Sequence, residues 1–302
     1  SLPLGRLYEG HVNALLLAST FARPAQVRDW GRDARRGRLF AVWNTEAADG
    51  VRFLPVGRRY HLEGAKTFAS GAGDVPRPMV TGRLPDGGWQ MAILRLDQGH
   101  EERVDRRFWQ PLGMHASSSQ RIDFTGLEVG PDDLLGAPGD YHRPPWFTSG
   151  AIRFAAVQQG GAEAVLDVVC ETLGSRKRTD DPDQRRRAGE MAIALESGRL
   201  WLKRAGELWD RALGEDADGA AGDDLVLAGH MTRTAIERAA LLVLEHAERS
   251  IGLMGMNRPH PLERLVRDLR MYLRQPAPDQ ALADVGRATL EGRALPSPDR
   301  DT

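Results

Sequence analysis

The chain lacks most of the features that announce a function on their own. It has a single cysteine, Cys170, which excludes an internal disulfide framework. The helical pattern around Cys170 predicts a buried structural thiol, not a nucleophile. Lysine is almost absent: Lys66, Lys177 and Lys203 are the only ones, against a background of arginine. That bias fits GC-rich coding better than a phosphate site. The net charge is -1, so nothing in the balance draws the chain to nucleic acid or to an anionic membrane. No apolar run reaches spanning length and no signal-peptide pattern opens the chain. The expectation is a soluble, cytoplasmic protein with no nucleic-acid or membrane partner.

Common chemical motifs are missing as well. Gly71-Ala72-Gly73 lacks the spacing of a dinucleotide fingerprint, and there is no P-loop. The eight histidines include no His-Glu-x-x-His, and no metal site is expected. His246, beside Glu245, reads as a solvated or capping residue. No Gly-x-Ser-x-Gly elbow occurs. Ser117-Ser118-Ser119 reads as a polar loop, and Arg185-Arg186-Arg187 as a solvated helix start without interleaved aromatics.

What is present is an ordinary globular composition, 41% hydrophobic and 27% charged over 302 residues, enough for a sizeable core. Residues 1–37 read as helical, with Leu7, Val12, Leu15, Leu16 and Phe21 at helical spacing and a break at Pro24. Residues 38–138 change to short apolar and alternating runs punctuated by Gly, Pro and Asp, which predicts an antiparallel sheet, sandwich or small barrel. After a Pro-rich connector, residues 148–293 are nearly all helix. Candidate helices cover Ala151–Leu173, Arg186–Leu213, Leu225–Leu253 and Pro261–Leu273, and a fifth follows Pro278. The fold class is therefore α+β: a helical segment, a β domain, then an antiparallel helix bundle.

Local strings in that order resemble one family. Phe40-Ala41-Val42-Trp43-Asn44-Thr45-Glu46 resembles a strand ending in Thr-Glu. Leu62 to Ser70, with Lys66, Phe68 and Ser70, resembles Gly-x-Lys-x-Trp-Ile-Thr. Leu112-Gly113, Val129-Gly130-Pro131 and Leu134-Leu135-Gly136 resemble the end of a β domain, and Pro261–Asp268 a helix leading into a catalytic loop. All belong to the acyl-CoA dehydrogenases. The resemblance runs from about Leu4 to Leu290. It implies FAD, with Trp43, Asn44 and Thr45 at the pyrimidine side of the flavin. It further implies an aromatic (Phe68) against the ring, Ala69 beside it, and a hydroxyl (Ser70) near its N5. Arg249 and Gly252 stand where the family's Gln-x-x-Gly-Gly meets the pyrophosphate. It also implies an acyl thioester substrate in fatty acid metabolism, a homodimer or homotetramer, and electron-transfer flavoprotein as acceptor.

The sequence departs from that pattern in four places. Several N-terminal helices of the family are absent, which implies an open acyl pocket or a fragment. Arg176-Lys177-Arg178-Thr179-Asp180 has no Phe-Gly. Arg249 replaces the Gln. Above all, the position of the catalytic Glu is Pro276. Abstraction of an α-proton needs a carboxylate. Asp279 is the nearest acid, and it reads better as the N-cap of the last helix. Thr148–Ala151, where some relatives carry the base, offers none. Glu263 and Asp268 read as structural ion-pair partners. Three readings stay open: an α,β-dehydrogenase of acyl thioesters, a flavin-dependent monooxygenase or oxidase of the same fold, and a non-catalytic relative.

Overall fold

The computed structural model describes residues 1–97, 100–214, 219–274 and 276–295. It resolves into two compact units. One gathers Pro3–Pro111 and His115–Trp146; the other gathers Ser1–Leu2, Leu112–Met114 and the chain from Phe147 onward.

The first unit opens with α1 (Leu2–Phe21) and α2 (Pro24–Arg35). Pro24 sits in the first turn of α2, where its missing N–H is harmless. Ahead of it the Arg23 N–H donates to Gln26 Oε1 at 3.0 Å. Trp30 of α2 is 1% exposed. Gln26 also donates to the carbonyls of Asp132 and Leu134, at 2.9 and 2.8 Å, and so ties the helix to the sheet.

Strands follow: β1 (Phe40–Trp43), β2 (Arg52–Val56), β3 (Arg59–Glu63), β4 (Ala65–Ala69), β5 (Arg77–Arg83) and β6 (Trp89–Ile93). Then come β7 (Val104–Asp105), β8 (Gln120–Asp123), β9 (Glu128–Val129) and β10 (Leu134–Leu135). They form a seven-stranded sheet, ordered β10-β6-β5-β2-β3-β9 with β1 beside β5, and a three-stranded sheet β4-β8-β7. Neither closes into a barrel. The sheet is not purely antiparallel as expected: β1 pairs with β5 in parallel, Phe40 opposite Arg77 and Trp43 opposite Val80. The physical reason is the connection. β1 reaches β5 only after the excursion through β2, β3 and β4, and such a crossover permits parallel pairing where a hairpin does not.

Alternate residues of these strands bury one contiguous core, including Trp43, Phe53, Leu62, Val80, Ile122 and Phe124. Each fully buried side chain of this size contributes roughly 1.5–3 kcal/mol. Gly82 is required there, because a Cβ at this position would lie 2.5 Å from the Phe53 ring. The Ser117 to Ser119 loop is not solvated: Ser117 and Ser119 are buried.

The second unit is built on α3 (Gly150–Ser175), α4 (Pro182–Gly214), α5 (Ala220–Ile251), α6 (Pro261–Tyr272) and α7 (Pro278–Leu290). Apolar residues at helical spacing make the seams: Ala155, Ala162, Val165 and Val169 on α3, and Ile236, Ala240, Val243 and Ala247 on α5. Buried Gln159 of α3 donates to the Leu195 carbonyl of α4 at 2.9 Å. His260 caps α6 by accepting the Leu262 N–H at 3.2 Å. Three sequence expectations need correction here. Cys170 is exposed, because it falls on the outward side of α3. Asp268 makes no ion pair among the described residues; it is buried and accepts the Met114 N–H at 2.7 Å. Glu263 does pair, with Arg267 at 2.6 Å. Asp279 is not the cap of α7, since the N-cap position belongs to Ala277 and Asp279 is already the second residue of the helix.

Candidate functional site

The end of β1 and the length of β4 carry the first group of candidate residues. Lys66 organises it. Its side chain is fully buried, and burial pulls its pKa down while the Glu46 carboxylate pulls it up, with a net lowering. All three ammonium protons have acceptors: the Asn44 carbonyl at 3.0 Å, Thr81 Oγ1 at 3.0 Å, and Glu46. Thr81 Oγ1 then donates to Asn44 Oδ1 at 2.7 Å. Glu46 is fixed a second time by accepting the Val51 N–H at 3.0 Å. From β4, the Thr67 N–H donates to the Thr45 carbonyl at 3.0 Å and Thr67 Oγ1 donates to the Glu46 carbonyl at 3.1 Å. The carbonyls of residues 44 to 46 are thus turned inward and occupied.

That arrangement leaves donors facing the other way. With its Oδ1 engaged, Asn44 keeps its amide N–H groups, which have no partner among the described residues. Thr45 is exposed, and its hydroxyl has none either. Trp43 is buried and donates from Nε1 to the Ser70 carbonyl at 2.9 Å, so it braces β1 against β4 and has no open edge.

Phe68 is held in an unusual state. Its φ is 51°, a left-handed conformation that costs a non-glycine residue about 1–3 kcal/mol. The pairing of β4 with β8 shifts register between Lys66 and Ala69 at the same place. The ring is 51% exposed, yet two rings stand edge-on to it: Phe108 at 5.2 Å and 79°, and Trp109 at 6.2 Å and 88°. Ala69 and Ser70 are buried behind it. The result is a rigid, exposed aromatic face beside unpartnered donors. It can hold a planar heteroaromatic ring whose polar edge carries acceptors.

The remaining candidates lie in the other unit. Arg249 is exposed on the last turn of α5 and pairs with Glu245 at 2.5 Å. Gly252 ends that helix with φ 70°, a turn that favours glycine. The segment between α6 and α7 is held by arginines. Arg274 pairs with Glu237 of α5. Arg233 of α5, 9% exposed, donates to the Pro276 carbonyl at 3.0 Å and lies over the Phe154 ring at 5.1 Å. Burial lowers the Arg233 pKa. Gln275 lies outside the described residues. Among residues 276–278 there is no acid, and Asp279 is exposed in the first turn of α7. No group of acids, cysteines and histidines that could hold a metal occurs among the described residues. No helix described is long and apolar enough to cross a membrane.

The structure therefore brings Trp43, Asn44, Thr45, Phe68, Ala69 and Ser70 together and assigns Arg249, Gly252, Pro276 and Asp279 to the second unit. Sequence reasoning named Lys66 only as part of a motif, with no role at the site, and passed over Arg233. A lysine inside an apolar strand of a chain with so few lysines was a usable signal for the first. Nothing local distinguished Arg233 from its many exposed counterparts.

Residues 146–273 match the family model described as the C-terminal domain of acyl-CoA dehydrogenase. Dibenzothiophene monooxygenase of Rhodococcus erythropolis is 26% identical over 257 residues, covering 78% of this chain and 62% of that protein. The mitochondrial short-chain specific acyl-CoA dehydrogenase of Bos taurus is 30% identical over 261 residues, covering 84% of this chain and 54% of that protein. The chain thus spans roughly three-fifths or less of these relatives. Among solved structures, TdsC of Paenibacillus sp. A11-2 in complex with FMN and indole aligns with a TM-score of 0.87 at 22% identity. It covers 98% of this chain and 82% of that one.

Proposed function

Starting from a chain that is a diverged member of the acyl-CoA dehydrogenase family by its C-terminal domain and its fold, we propose a flavin-dependent monooxygenase. The observation that carries this reading is the segment after α6. A dehydrogenase needs a carboxylate to take the α-proton of an acyl thioester. Residues 276–278 offer none, and the Pro276 carbonyl is engaged by the buried cation Arg233. Oxygen insertion by a reduced flavin needs no such base, and the relatives include dibenzothiophene monooxygenases.

The first unit fits a flavin. The exposed Phe68 ring offers a face for the isoalloxazine, and Asn44 Nδ2 and Thr45 Oγ1 are the donors for its acceptor edge. Bound there, a flavin supplies two-electron redox chemistry and, when reduced, activation of oxygen. The protein's part is to fix the ring edge through residues 44 to 46, and Lys66 does this from behind. FAD and FMN share the ring that these residues meet. FMN is the first form to test, because TdsC was crystallised with it. Arg249 and Gly252 are the proposed contacts for a phosphate or pyrophosphate. The substrate is proposed to be a small ring compound of the indole or dibenzothiophene kind.

The test is direct. Purified protein is supplied with FMN, NADH, a flavin reductase and oxygen, and indole or dibenzothiophene is assayed for an oxygenated product. The expected result is product formation that depends on both flavin and oxygen. A second reading, dehydrogenation of an acyl-CoA, is favoured by the 30% identity to short-chain acyl-CoA dehydrogenase. It alone requires electron-transfer flavoprotein. Anaerobic bleaching of bound flavin by butyryl-CoA, without oxygenated product in the first assay, would establish it instead. Flavin binding with neither activity would favour a non-catalytic member. A homodimer or homotetramer is proposed for every case, to be read by light scattering.

A further inference from the structure

The second unit carries a groove that none of the residues assigned to a cofactor above lines. It lies among α4, α5 and α7 and has a volume of about 500 Å³, within the range of small-molecule sites. Small side chains make it. Ala194 and Ser197 on α4 and Ala235 and Ala239 on α5 leave the space between those helices unfilled, and Leu282 and Val285 line it from α7. The apolar surface there is uncovered: Leu282 is 42% exposed, and Leu242 of α5, which also lines the groove, is 36% exposed.

The polar groups of the groove are all of one kind. Arg238 of α5 lines it and is exposed, and its side chain has no ion-pair or hydrogen-bond partner among the described residues. Its own helix supplies none, because the positions three and four residues away are Thr234, Ala235, Leu241 and Leu242, where an acid would have paired with it. The acids of neighbouring positions are taken. Glu237 pairs with Arg274, and Asp284 of α7 accepts from Gln280 and Arg287. The hydroxyl of Ser197 and the indole N–H of Trp201, two further lining residues, also have no partner among the described residues. No acid lines the groove. It therefore offers an apolar body, free donors and one uncompensated positive charge.

We propose that this groove binds an amphipathic carboxylate, with its apolar part against Ala235, Leu282 and Val285 and its carboxylate on Arg238. Charge decides the class. A neutral apolar molecule leaves the guanidinium unanswered, and a cation is repelled by it. A carboxylate matches the planar fork of an arginine and accepts from it. The site does not depend on the flavin reading.

The experiment is calorimetric titration of the wild-type chain with decanoate, decanol and decylammonium, each below its micelle concentration. Decanoate should bind and decylammonium should not. Decanol keeps the tail and loses the charge, so it should bind about tenfold more weakly, the worth of one charge-assisted hydrogen bond. Added salt should weaken decanoate and leave decanol unchanged. Arg238→Gln should weaken decanoate about tenfold, with decanol affinity and FMN affinity as in wild type. Arg238→Lys keeps the charge without the fork and should fall between the two. Ala235→Trp fills the groove and should abolish binding of decanoate and decanol, with circular dichroism as a check on folding; Arg238→Gln, at an exposed position, covers the case in which that variant does not fold. No binding of decanoate to the wild type overturns the proposal, as does equal binding to wild type and Arg238→Gln, or equal binding of decanoate and decylammonium. Loss of self-association in Ala235→Trp by light scattering, without decanoate binding to the wild type, would overturn it in favour of a second copy of the chain in the groove.

Discussion

The segment from the end of β1 through β4 and the segment between α6 and α7 have diverged differently from the family pattern they resemble. In the first, substitutions keep the type of chemistry: Phe68 stands for an aromatic and Ser70 for a hydroxyl, and Lys66 binds the whole turn from behind. In the second, the acid is gone, and what remains is held to α5 by Arg233 on that helix and by Arg274, which pairs with Glu237. The difference teaches where constraint lies. On the flavin reading proposed above, a planar ring must meet fixed donors on one side, so residues there change only within a type. On the monooxygenase reading, no α-proton is removed and the base can be discarded. Four measurements can break or sharpen that contrast.

The largest effect is expected from Lys66→Met. Removal of the ammonium leaves Glu46 without its partner and the Asn44 carbonyl without a donor. Losing one partner of a buried pair costs several kcal/mol, discounted here to about 2–3 kcal/mol because Glu46 keeps 32% exposure. Urea melts should show that loss, and FMN affinity should fall more than the melt alone explains. Unchanged FMN affinity in the folded variant would contradict the assignment of residues 44 to 46 to the ring edge.

Arg233→Met probes the other segment. It removes the donor to the Pro276 carbonyl and the cation over Phe154, together worth about 2 kcal/mol. Amide hydrogen exchange at Ala277 and Asp279 should accelerate, while exchange in β4 should not change. Equal acceleration in β4 would refute the view that the two segments are held independently.

The sequence made the element types and their order legible, because apolar spacing changes from helical to alternating near residue 38 and back near 148. The start of α6 was marked by Pro261 and the break after α1 by Pro24. The parallel pairing of β1 with β5 was not legible, because it depends on which distant strand docks beside β1 and not on its own four residues. Ser117 and Ser119 look like a polar loop for a related reason: a serine has no pattern that separates a solvated hydroxyl from one buried in a chain of hydroxyls. Cys170 failed the other way, since its neighbours Val169 and Leu173 are buried while it points out. For the site, the residues at β1 and β4 could be named, but their roles depend on which lone pairs the fold has already filled.

Phe68 tests the aromatic face alone. It is 51% exposed, so little of the core depends on it. Phe68→Leu should leave the urea midpoint nearly unchanged and weaken FMN binding about tenfold, the worth of one ring contact. Loss of stability without loss of affinity would return Phe68 to a packing role with Phe108 and Trp109.

The smallest effect lies far from either segment and separates stability from the site. Arg77 is 4% exposed and joins Asp33 at 2.5 Å and Asp97 at 2.9 Å. The hydrogen bond from Arg77 is the main cause that holds the Asp97 carboxyl below its usual range, against a smaller opposing effect of burial. A carboxylate with a depressed folded pKa contributes stability that is fully present above its unfolded value, near 3.9. That contribution is lost as pH falls through the folded value, so the window lies below about pH 4. Asp97 is 42% exposed, so solvent screening limits the term to under about 1 kcal/mol. Asp97→Asn should therefore lose less stability than wild type between pH 5 and pH 3 in urea melts. At pH 7 its FMN affinity should match wild type, because the Asp97 carboxylate is directed at Arg77 and Arg38 and not at residues 44 to 46 or Phe68. Parallel losses in the two proteins would show that the Arg77 network does not set the acid limb. A changed FMN affinity would show that the support of β5 by Arg77 reaches the ring edge through β1, and the contrast between a tightly held site and its scaffold would have to be redrawn.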